Sequence, residues 1–286
     1  MKLGALYQSG KMQLQQSGAE TPALDARLLI CDALSLTHEQ FVLADDRDLT
    51  EEEQQKIALM LTERTEGKPV AKIIGHKEFY SRRFKTTRAT LDPRPDSEVL
   101  IEAVLQKTHF EKPLILDLGT GTGCLVLTLL AELPQARAIA VDQSLDALAV
   151  AKDNAWLIGV EDRVVFVKSD WFTEVLGTFD VIISNPPYIP EDTIAGLAKE
   201  VREHDPMAAL VGGKDGLDPY RVIIPQLKNF LKPGGFTAFE LGQGQAPDVA
   251  KMLEDAGFSD VTITNDLAGI GRVVCGFYLQ NSSEKL

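Results

Sequence analysis

The chain has 286 residues, of which 44% are hydrophobic and 25% are charged, a composition typical of globular proteins large enough for two ordinary domains. No stretch approaches the roughly 18 uncharged apolar residues of a membrane-spanning helix, and the N-terminal segment lacks a signal-peptide core, so we expect a cytoplasmic protein with no membrane contact. The net charge of −13 argues against stable binding to nucleic-acid phosphates.

The three cysteines lie far apart in the sequence, at Cys31, Cys124 and Cys275. None forms a C-x-x-C pair, and no histidine pair has the spacing of a zinc site. We therefore expect neither a disulfide framework nor a bound metal, and we interpret each cysteine as a small buried apolar residue.

The first 74 residues are predicted to form a small helical bundle. Thr21 is a candidate N-cap with Pro22 in the first helical position, and apolar residues then recur with helical spacing. Thr50 and Glu53 have the spacing of a capping box for a second long helix, which Gly67 would stop. No alternation typical of strands interrupts this region, which we expect to be a domain of its own.

Residues 75–92 change character and alternate in the manner of β-strands. We predict a β-hairpin here that links two domains, with its basic residues on a solvated face. The segment from Pro93 to Glu98 then breaks the strand pattern and precedes a helix.

From residue 113 onward, short apolar runs alternate with helical patterns. Such alternation predicts an α/β fold with a doubly wound parallel sheet, here of seven strands in a domain that spans 93–286. The last two strands are joined by a loop too short for a helix and should form an antiparallel hairpin. The predicted strands are 114–118, 138–142, 164–167, 179–183, 236–240, 261–264 and 273–277.

A glycine-rich turn follows the first of these strands, where the chain passes into a helix. Glycines let the backbone approach a ligand closely, and the helix start offers free N–H groups. Dinucleotide enzymes, flavoproteins and methyltransferases all use such a turn, so alone it indicates only a nucleotide. The residues that we assign to the cofactor here are Asp117, Gly119, Thr120, Gly121, Thr122 and Gly123.

Two acidic residues extend this site along the same edge of the sheet. Asp142 ends the second strand, where a carboxylate can accept hydrogen bonds from both ribose hydroxyls of an adenosine. Asp170 follows the third strand and is adjacent to Trp171, which suits adenine. The glycine spacing is not that of dinucleotide folds. It resembles the first motif of class I S-adenosylmethionine methyltransferases, which implies a Rossmann-like fold and S-adenosylmethionine as cofactor.

The fourth strand ends in Asn185-Pro186-Pro187-Tyr188, which we interpret as the catalytic loop. The prolines fix the backbone and remove two N–H donors, so the loop is rich in acceptors: the Asn185 side-chain oxygen and the Pro186 carbonyl. Such a loop suits a planar –NH2 group, whose nitrogen it would orient and whose developing positive charge it would stabilise. Tyr188 is expected to wall the pocket and offer its ring to the sulfonium.

This loop leaves several functions open. The same tetrapeptide occurs in adenine-N6 and cytosine-N4 DNA methyltransferases and in protein-glutamine methyltransferases. The acidic composition and the helical N-terminal region favour a protein substrate. A non-catalytic nucleotide-binding or ribosome-associated module is a further alternative.

Beyond the loop, nearly the whole chain resembles the bacterial release-factor glutamine methyltransferases of the HemK-like family. Its motifs stand here as Gly75-x-x-x-Phe79, Pro93-Arg94-Pro95-Asp96-Ser97-Glu98, Glu200-Val201-Arg202, Gly212-Gly213-x-Asp215-Gly216-Leu217 and Phe239-Glu240-x-Gly242-x-x-Gln245, with the glycine turn and the catalytic loop. The chain departs from the family at Asp205, where Glu is usual, and at Ser97, which is often Thr.

The resemblance implies methylation of the side-chain amide (N5) of the glutamine in the Gly-Gly-Gln motif of peptide-chain release factors. It implies that Asn185, Pro186 and Tyr188 are catalytic, that Asn185 also contacts the cofactor, and that Pro187 helps to hold the glutamine. Arg94 and Glu98 are predicted to line the substrate side, although both suit a linker and helix start equally well. We expect a monomer whose helical domain recognises the release factor.

Overall fold

The computed structural model describes residues 1–279 and divides into two compact units. The first unit comprises Met1–His76 together with Ala198–His204. The second comprises Lys77–Leu197 and the described residues from Asp205 onward. Within the described residues, none of the helices is both long enough and apolar enough to cross a membrane.

The first unit is built from helices. Its helices pack around a buried apolar cluster to which α1 contributes Leu14, α2 contributes Leu29 and Ile30, and α4 contributes Ile57 and Leu61. The helices are α1 (Leu3–Gln16), α2 (Pro22–Leu34), α3 (His38–Leu43), α4 (Glu51–Thr65), α5 (Val70–Ile74) and α9 (Lys199–His204).

The start of α4 confirms the predicted capping box, since the Thr50 side chain accepts from the Glu53 N–H and the Glu53 carboxylate accepts from the Thr50 N–H. Thr21 is the N-cap residue of α2 and Pro22 is the first helical residue, as predicted, but the Thr21 side chain makes no capping hydrogen bond. The Thr21 hydroxyl instead donates to the Asp25 carboxylate over 2.7 Å.

An ion-pair group closes the first unit around Arg64. The guanidinium donates to Asp25 and to Glu200, each over 2.7 Å, and Arg64 and Asp25 are almost fully buried. Paired and hydrogen-bonded on both sides, this buried charge is satisfied. It joins α9 to helices that lie more than 130 residues earlier in the sequence.

The second unit contains two sheets and the helices that cover the larger one. Its strands are β1 (His76–Phe79, whose first residue belongs to the first unit), β2 (Arg82–Lys85), β3 (Leu114–Leu118), β4 (Arg137–Asp142), β5 (Val164–Lys168), β6 (Phe179–Ser184), β7 (Leu231–Glu240), β8 (Ser259–Asn265) and β9 (Gly271–Phe277). Its helices are α6 (Glu98–Lys107), α7 (Cys124–Glu132), α8 (Leu145–Ile158), α10 (Asp218–Ile223), α11 (Leu227–Phe230) and α12 (Ala246–Asp255).

The seven-stranded sheet has the order β5-β4-β3-β6-β7-β9-β8. All neighbours from β5 to β7 are parallel, and β9 lies antiparallel between β7 and β8. This confirms the predicted doubly wound α/β fold with a C-terminal antiparallel hairpin. The chain reverses its strand order between β3 and β6, and the carboxyl ends there are where such sheets bind ligands.

Apolar clusters cover both faces of this sheet, as a parallel sheet requires. Every residue of β6 is buried, which is the burial expected of a central strand. One strand differs from the sequence prediction. The fifth strand, predicted at 236–240, begins earlier as β7 at Leu231, and residues 232–235 form a bulge between its pairing at Leu231 and its pairing from Phe236 onward.

The strands β1 and β2 form a two-stranded sheet. Tyr80 and Ser81 connect them with positive φ angles of 49° and 58°, as a tight hairpin turn of two residues requires. The Tyr80 N–H donates to the Glu98 carboxylate over 2.9 Å, which ties the turn to the start of α6.

Candidate active site

A cavity of about 480 Å³ opens at the carboxyl ends of the central strands, within the second unit. Its walls come from the turns after β3, β4, β5 and β6 and from two further segments around Arg94 and Pro206. The lining includes Arg94, Ser97, Gly119, Gly121, Asp142, Asp170, Trp171, Asn185 and Pro187. The size suits a nucleoside-sized ligand with room for a substrate side chain.

The glycine turn forms the floor of the cavity. The N–H groups of Gly119 and Thr120 both donate to the Val141 carbonyl over 2.9 Å, which folds the turn back onto β4. Gly121 has a φ of 55°, and no described atom lies within 4 Å of the position that a Cβ would take there. The backbone is therefore bare where a ligand would approach.

Asp117 lies on β3 beneath this turn and is only 1% exposed. Its Oδ2 accepts the Thr120 hydroxyl over 2.6 Å, while Oδ1 has no hydrogen-bond partner among residues 1–279. Burial raises the pKa of the carboxyl to about 7, and the nearby Asp142 adds to the rise. Asp117 is not among the residues that line the cavity, but its buried, unmatched oxygen beneath the turn is an acceptor suited to a cationic group.

Asp142 ends β4 and lines the same cavity. Its two oxygens accept the N–H groups of Gly121 and Ser144, each over 2.9 Å. Each carboxylate oxygen has a further lone pair, so a fixed carboxylate remains available to ligand hydroxyls. The structure thus brings Asp142 to the glycine turn, as the sequence prediction requires.

Asp170 and Trp171 close another wall of the cavity. Trp171 adopts a positive φ of 46°, and the Ser169 hydroxyl donates to its carbonyl over 2.8 Å. Its ring reaches 3.7 Å from the position of a Cβ on Gly119. A flat apolar face therefore lies beside the glycine turn, where an adenine ring would stack.

The Asn185-Pro186-Pro187-Tyr188 loop starts directly after β6. The Ser184 hydroxyl donates to the Leu118 carbonyl over 2.7 Å, which fixes the strand end against β3. Asn185 and Pro187 line the cavity, and the Asn185 side-chain N–H group donates to the Ser97 hydroxyl over 3.4 Å. The Asn185 side chain therefore stands at the cavity wall with its nitrogen directed toward Ser97.

A second loop, residues 210–217, hydrogen-bonds to the residue that follows the catalytic loop. The Ile189 N–H donates to the Leu210 carbonyl and the Gly212 N–H donates to the Ile189 carbonyl, each over 2.9 Å. The packing requires glycine, because a Cβ on Gly212 would lie 2.7 Å from the Pro187 carbonyl oxygen.

Gln245 adds a third support. Its side chain donates to the carbonyls of Tyr188 and Gly216 and accepts the Gly242 N–H. One buried amide thereby holds three backbone positions. Tyr188 belongs to the catalytic loop, and Gly216 and Gly242 lie against Tyr188.

Tyr188 and Pro186 are placed differently from the lining positions of Asn185 and Pro187. Pro186 is buried, and the Tyr188 ring packs into the apolar cluster on one face of the sheet, against Gly242. Burial raises the pKa of the Tyr188 phenol well above its ordinary value, and the neighbouring Glu240 adds to the rise. Tyr188 is thus a neutral, packed side chain here.

The two residues predicted for the substrate side, Arg94 and Glu98, lie in different places. Arg94 lines the cavity and forms an ion pair of 3.0 Å with Asp205. Glu98 is not brought to the cavity, because its carboxylate accepts the Tyr80 N–H at the hairpin turn. Its position is that of a residue that joins the hairpin to α6.

Three residues around the catalytic loop, Ser97, Glu240 and Gln245, have no role predicted from the sequence. They appear in the sequence analysis only as members of motifs. A Phe-Glu pair at the end of a strand gives no sign that the Glu carboxyl is buried. Glu240 is 1% exposed and adjoins Asn185 and Ser97. The one signal in the sequence is that the apolar strand ends in a polar residue, Glu240, and that a second polar residue, Gln245, follows shortly after Gly242.

The chemistry of these residues fits S-adenosylmethionine. The unmatched Asp117 oxygen suits the ammonium group, the Asp142 carboxylate suits the ribose hydroxyls, and the bare backbone at Gly121 permits close approach. Trp171 offers the flat face that adenine requires.

Solved structures of methyltransferases share the fold. A methyltransferase from Pyrococcus furiosus superimposes with a TM-score of 0.54 at 19% identity, covering 71% of this chain and 92% of that one. The hMettl16 catalytic domain in complex with a MAT2A 3′UTR hairpin gives a TM-score of 0.57 at 18% identity, covering 69% and 76%. At these identities the likeness shows the class I methyltransferase fold and nothing about substrates.

Family models and curated relatives identify the chain more closely. Residues 5–75 match the PrmC N-terminal domain, and residues 88–202 match the methyltransferase small domain. The release factor glutamine methyltransferase of Rhodospirillum rubrum is 45% identical over 93% of this chain and 82% of its own length. That of Agrobacterium fabrum is 42% identical over 93% and 94%. This chain therefore belongs to the release factor glutamine methyltransferase family.

Proposed function

We propose that this protein transfers a methyl group from S-adenosylmethionine to the side-chain amide nitrogen (N5) of the glutamine in the Gly-Gly-Gln motif of peptide-chain release factors. The observation that carries the proposal is the position of Asn185. It lies directly after β6 and lines a cavity whose glycine turn and acidic residues, Asp142 and Asp170, suit S-adenosylmethionine. Family membership supports the choice of glutamine over a nucleobase.

The cofactor supplies an electrophilic methyl group on a sulfonium. Under this proposal Asp142 accepts the ribose hydroxyls and Asp117 accepts the ammonium group. The glycine turn, including Thr120 and Thr122, approaches through its backbone, and Asp170 and Trp171 hold the adenine. The hydrogen bonds from Gly121 and Ser144 hold the Asp142 carboxylate before any ligand binds, so binding requires little further ordering of this side chain.

The substrate amide is a weak nucleophile because its nitrogen lone pair is delocalised. The Asn185 oxygen and the Pro186 carbonyl accept its two N–H groups, which turns the nitrogen toward the methyl group and stabilises the charge that develops there. The proton leaves after the nitrogen has lost its amide resonance, so no strong base is required beforehand. No histidine lines the cavity in the described part of the chain.

The decisive experiment incubates the protein with methyl-labelled S-adenosylmethionine, purified release factor and, separately, DNA and RNA. We expect label in the release factor, and peptide mass mapping should place one methyl group on the glutamine of Gly-Gly-Gln. Label confined to nucleic acid would refute the proposal. Binding of the cofactor without label in any substrate would favour the alternative of a non-catalytic module.

Asn185→Ala tests the catalytic assignment in the same assay. Loss of one preorganised contact at the reacting group should lower turnover on the order of 10²- to 10³-fold while cofactor binding persists. Asn229→Ala, an identical change at an exposed helical position, is the control and should leave turnover unchanged.

The helical unit has a separate proposed role as the part that recognises the release factor, and the match to the PrmC N-terminal domain supports it. Val42 and Leu43, next to each other on α3, are both well exposed. Replacing both with serine should raise KM for the whole release factor but not for a short Gly-Gly-Gln peptide. Equal changes for both substrates would contradict the role.

We further propose that the enzyme acts as a monomer in the cytoplasm without stable nucleic-acid contacts. The acidic composition supports the last point. Sedimentation at working concentration and fractionation of cells test the first two.

A further inference from the structure

Glu240 lies next to the catalytic loop, although nothing in the proposed chemistry uses it. It ends β7, the neighbour of β6, and the register pairs Phe239 with Ser184. Residue 240 is therefore level with Asn185 at the carboxyl end of the sheet. Its carboxyl is buried, and the Oε2 atom has no hydrogen-bond partner within residues 1–279.

The side chains of Ser97 and Asn185 lie near the Glu240 carboxyl, and both lower its pKa. Asn185 Nδ2 also lies 3.4 Å from the Ser97 hydroxyl oxygen. The Ser97 hydroxyl can accept from Asn185 and donate to Glu240. The three side chains thus form one polar group at the wall of the cavity.

We propose that Glu240 is a positioning residue that sets which end of the Asn185 side-chain amide faces the substrate. The inference rests on the proposed function, because it concerns how Asn185 presents its oxygen to the glutamine N–H groups.

The reason is the two-sided chemistry of a primary amide. Asn185 has a donor end and an acceptor end of nearly equal shape, and only the acceptor end serves a substrate that donates. A carboxylate only accepts, so it attracts Nδ2 and repels Oδ1. With Glu240 on one side, the Asn185 oxygen is left to face the cavity. A flipped amide would set its oxygen against the carboxylate and its N–H groups against those of the substrate.

The Glu240 carboxyl must be ionised to discriminate in this way. Burial raises its pKa to about 7, and Asp96 adds to the rise, while Ser97, Arg272 and Asn185 oppose it. The other titratable groups that face it are Tyr188, Tyr220 and Cys124, whose pKa values all lie above their ordinary values. Protonation below pH 7 gives Glu240 a donor of its own and weakens the discrimination.

The test is a double-mutant cycle in methyl transfer at saturating cofactor. Glu240→Gln can donate as well as accept, so kcat should fall on the order of 10- to 100-fold with cofactor affinity unchanged. The same substitution in an Asn185→Ala background should have no further effect, since no amide is left to orient. Ser97→Ala should lower kcat in the same direction. Glu254→Gln, an exposed position on α12, is the control.

Two results would overturn the inference. One is a Glu240→Gln enzyme with wild-type kcat. The other is an equal fold-loss from Glu240→Gln with and without Asn185, which would indicate a general packing role. In the wild type, kcat should decline as the pH falls below about 7, and this decline should be absent in Glu240→Gln.

A measurement without substrate separates this inference from the proposed function. In isotope-labelled protein, the Asn185 side-chain NH2 resonances should shift with pH as Glu240 titrates, and Glu240→Gln should abolish the shift. Resonances that ignore both pH and the substitution would refute the role of Glu240. A failure to methylate release factor alongside a normal titration would refute the proposed function and leave the orientation of Asn185 supported.

Discussion

The side-chain amide of Gln245 donates a hydrogen bond of 2.9 Å to the backbone carbonyl of Tyr188. This contact crosses 57 residues and holds the last position of the catalytic loop in place. The same amide serves Gly216 and Gly242, so its removal leaves three backbone groups to find new partners.

We expect Gln245→Ala to lower the free energy of unfolding by about 1–3 kcal/mol, the usual cost of unmatched buried polar groups. Turnover should fall as well, because the loop loses its anchor. Thermal denaturation and kcat measure the two effects. Gln226→Ala is the matched control, since Gln226 also donates to a backbone carbonyl but near the surface. Equal behaviour of the two variants would contradict the anchoring role.

Gly216 offers a second test of the same support. Its φ is 78°, and an added Cβ would lie 2.2 Å from the Tyr188 carbonyl oxygen. Gly159 has a φ of 79°, with open space around the same position in the described structure. Both alanine variants should lose about 1 kcal/mol from the backbone conformation alone. Only Gly216→Ala should also displace the catalytic loop and reduce kcat, and a similar kcat for both would refute this.

Asp142→Asn is expected to weaken cofactor binding. Asparagine keeps one oxygen but turns an NH2 group toward either the Gly121 or the Ser144 N–H, both of which now donate to the carboxylate. Loss of charge-assisted hydrogen bonds should raise Kd for S-adenosylmethionine on the order of 10- to 100-fold. Titration calorimetry measures this, with Asp162→Asn, an exposed acid, as the control. An unchanged Kd would remove Asp142 from the cofactor site.

The pKa of Asp117 gives a prediction about stability and pH. The folded value of about 7 lies above the ordinary value of 3.8, so between these values the folded state binds a proton that the unfolded state does not. The unfolding free energy of the cofactor-free protein therefore falls as the pH rises through this window.

Asp117→Asn removes that loss. Relative to the wild type, the variant should gain stability as the pH rises from 5 to 8, by at least about 1 kcal/mol at the upper end. Its affinity for S-adenosylmethionine should fall, because the ammonium group loses its carboxylate. Denaturation curves at several pH values check the first claim. A variant that loses stability relative to the wild type between pH 5 and pH 8 would contradict this prediction.

The sequence predicted the sheet well because local signals mark its strands. The buried run 114–118 and the glycines after it indicate both the strand and the turn, whatever lies around them. The parallel direction of the central strands follows from their alternation with helices. For the same reason the positions of Asp117, Asp142 and Asn185 at one edge of the sheet could be predicted.

The environment of the catalytic loop could not be predicted in this way. The burial of Glu240 depends on packing beneath Ser97 and Asn185, which lie far away in sequence. The place of Glu98 depends on a hairpin turn 18 residues earlier. Thr21 occupies the predicted N-cap position, but the sequence did not reveal that its hydroxyl bonds to Asp25, one turn later, and makes no capping hydrogen bond.

The chain passes between its two units at residues 76–77, 197–198 and 204–205. The helical unit is therefore no terminal appendage. A fragment that stops at His76 would lack α9 and leave the Arg64 guanidinium with only one of its two acidic partners. A gene that gained or lost this unit by fusion at one end would leave it incomplete, so the two units are expected to be inherited together.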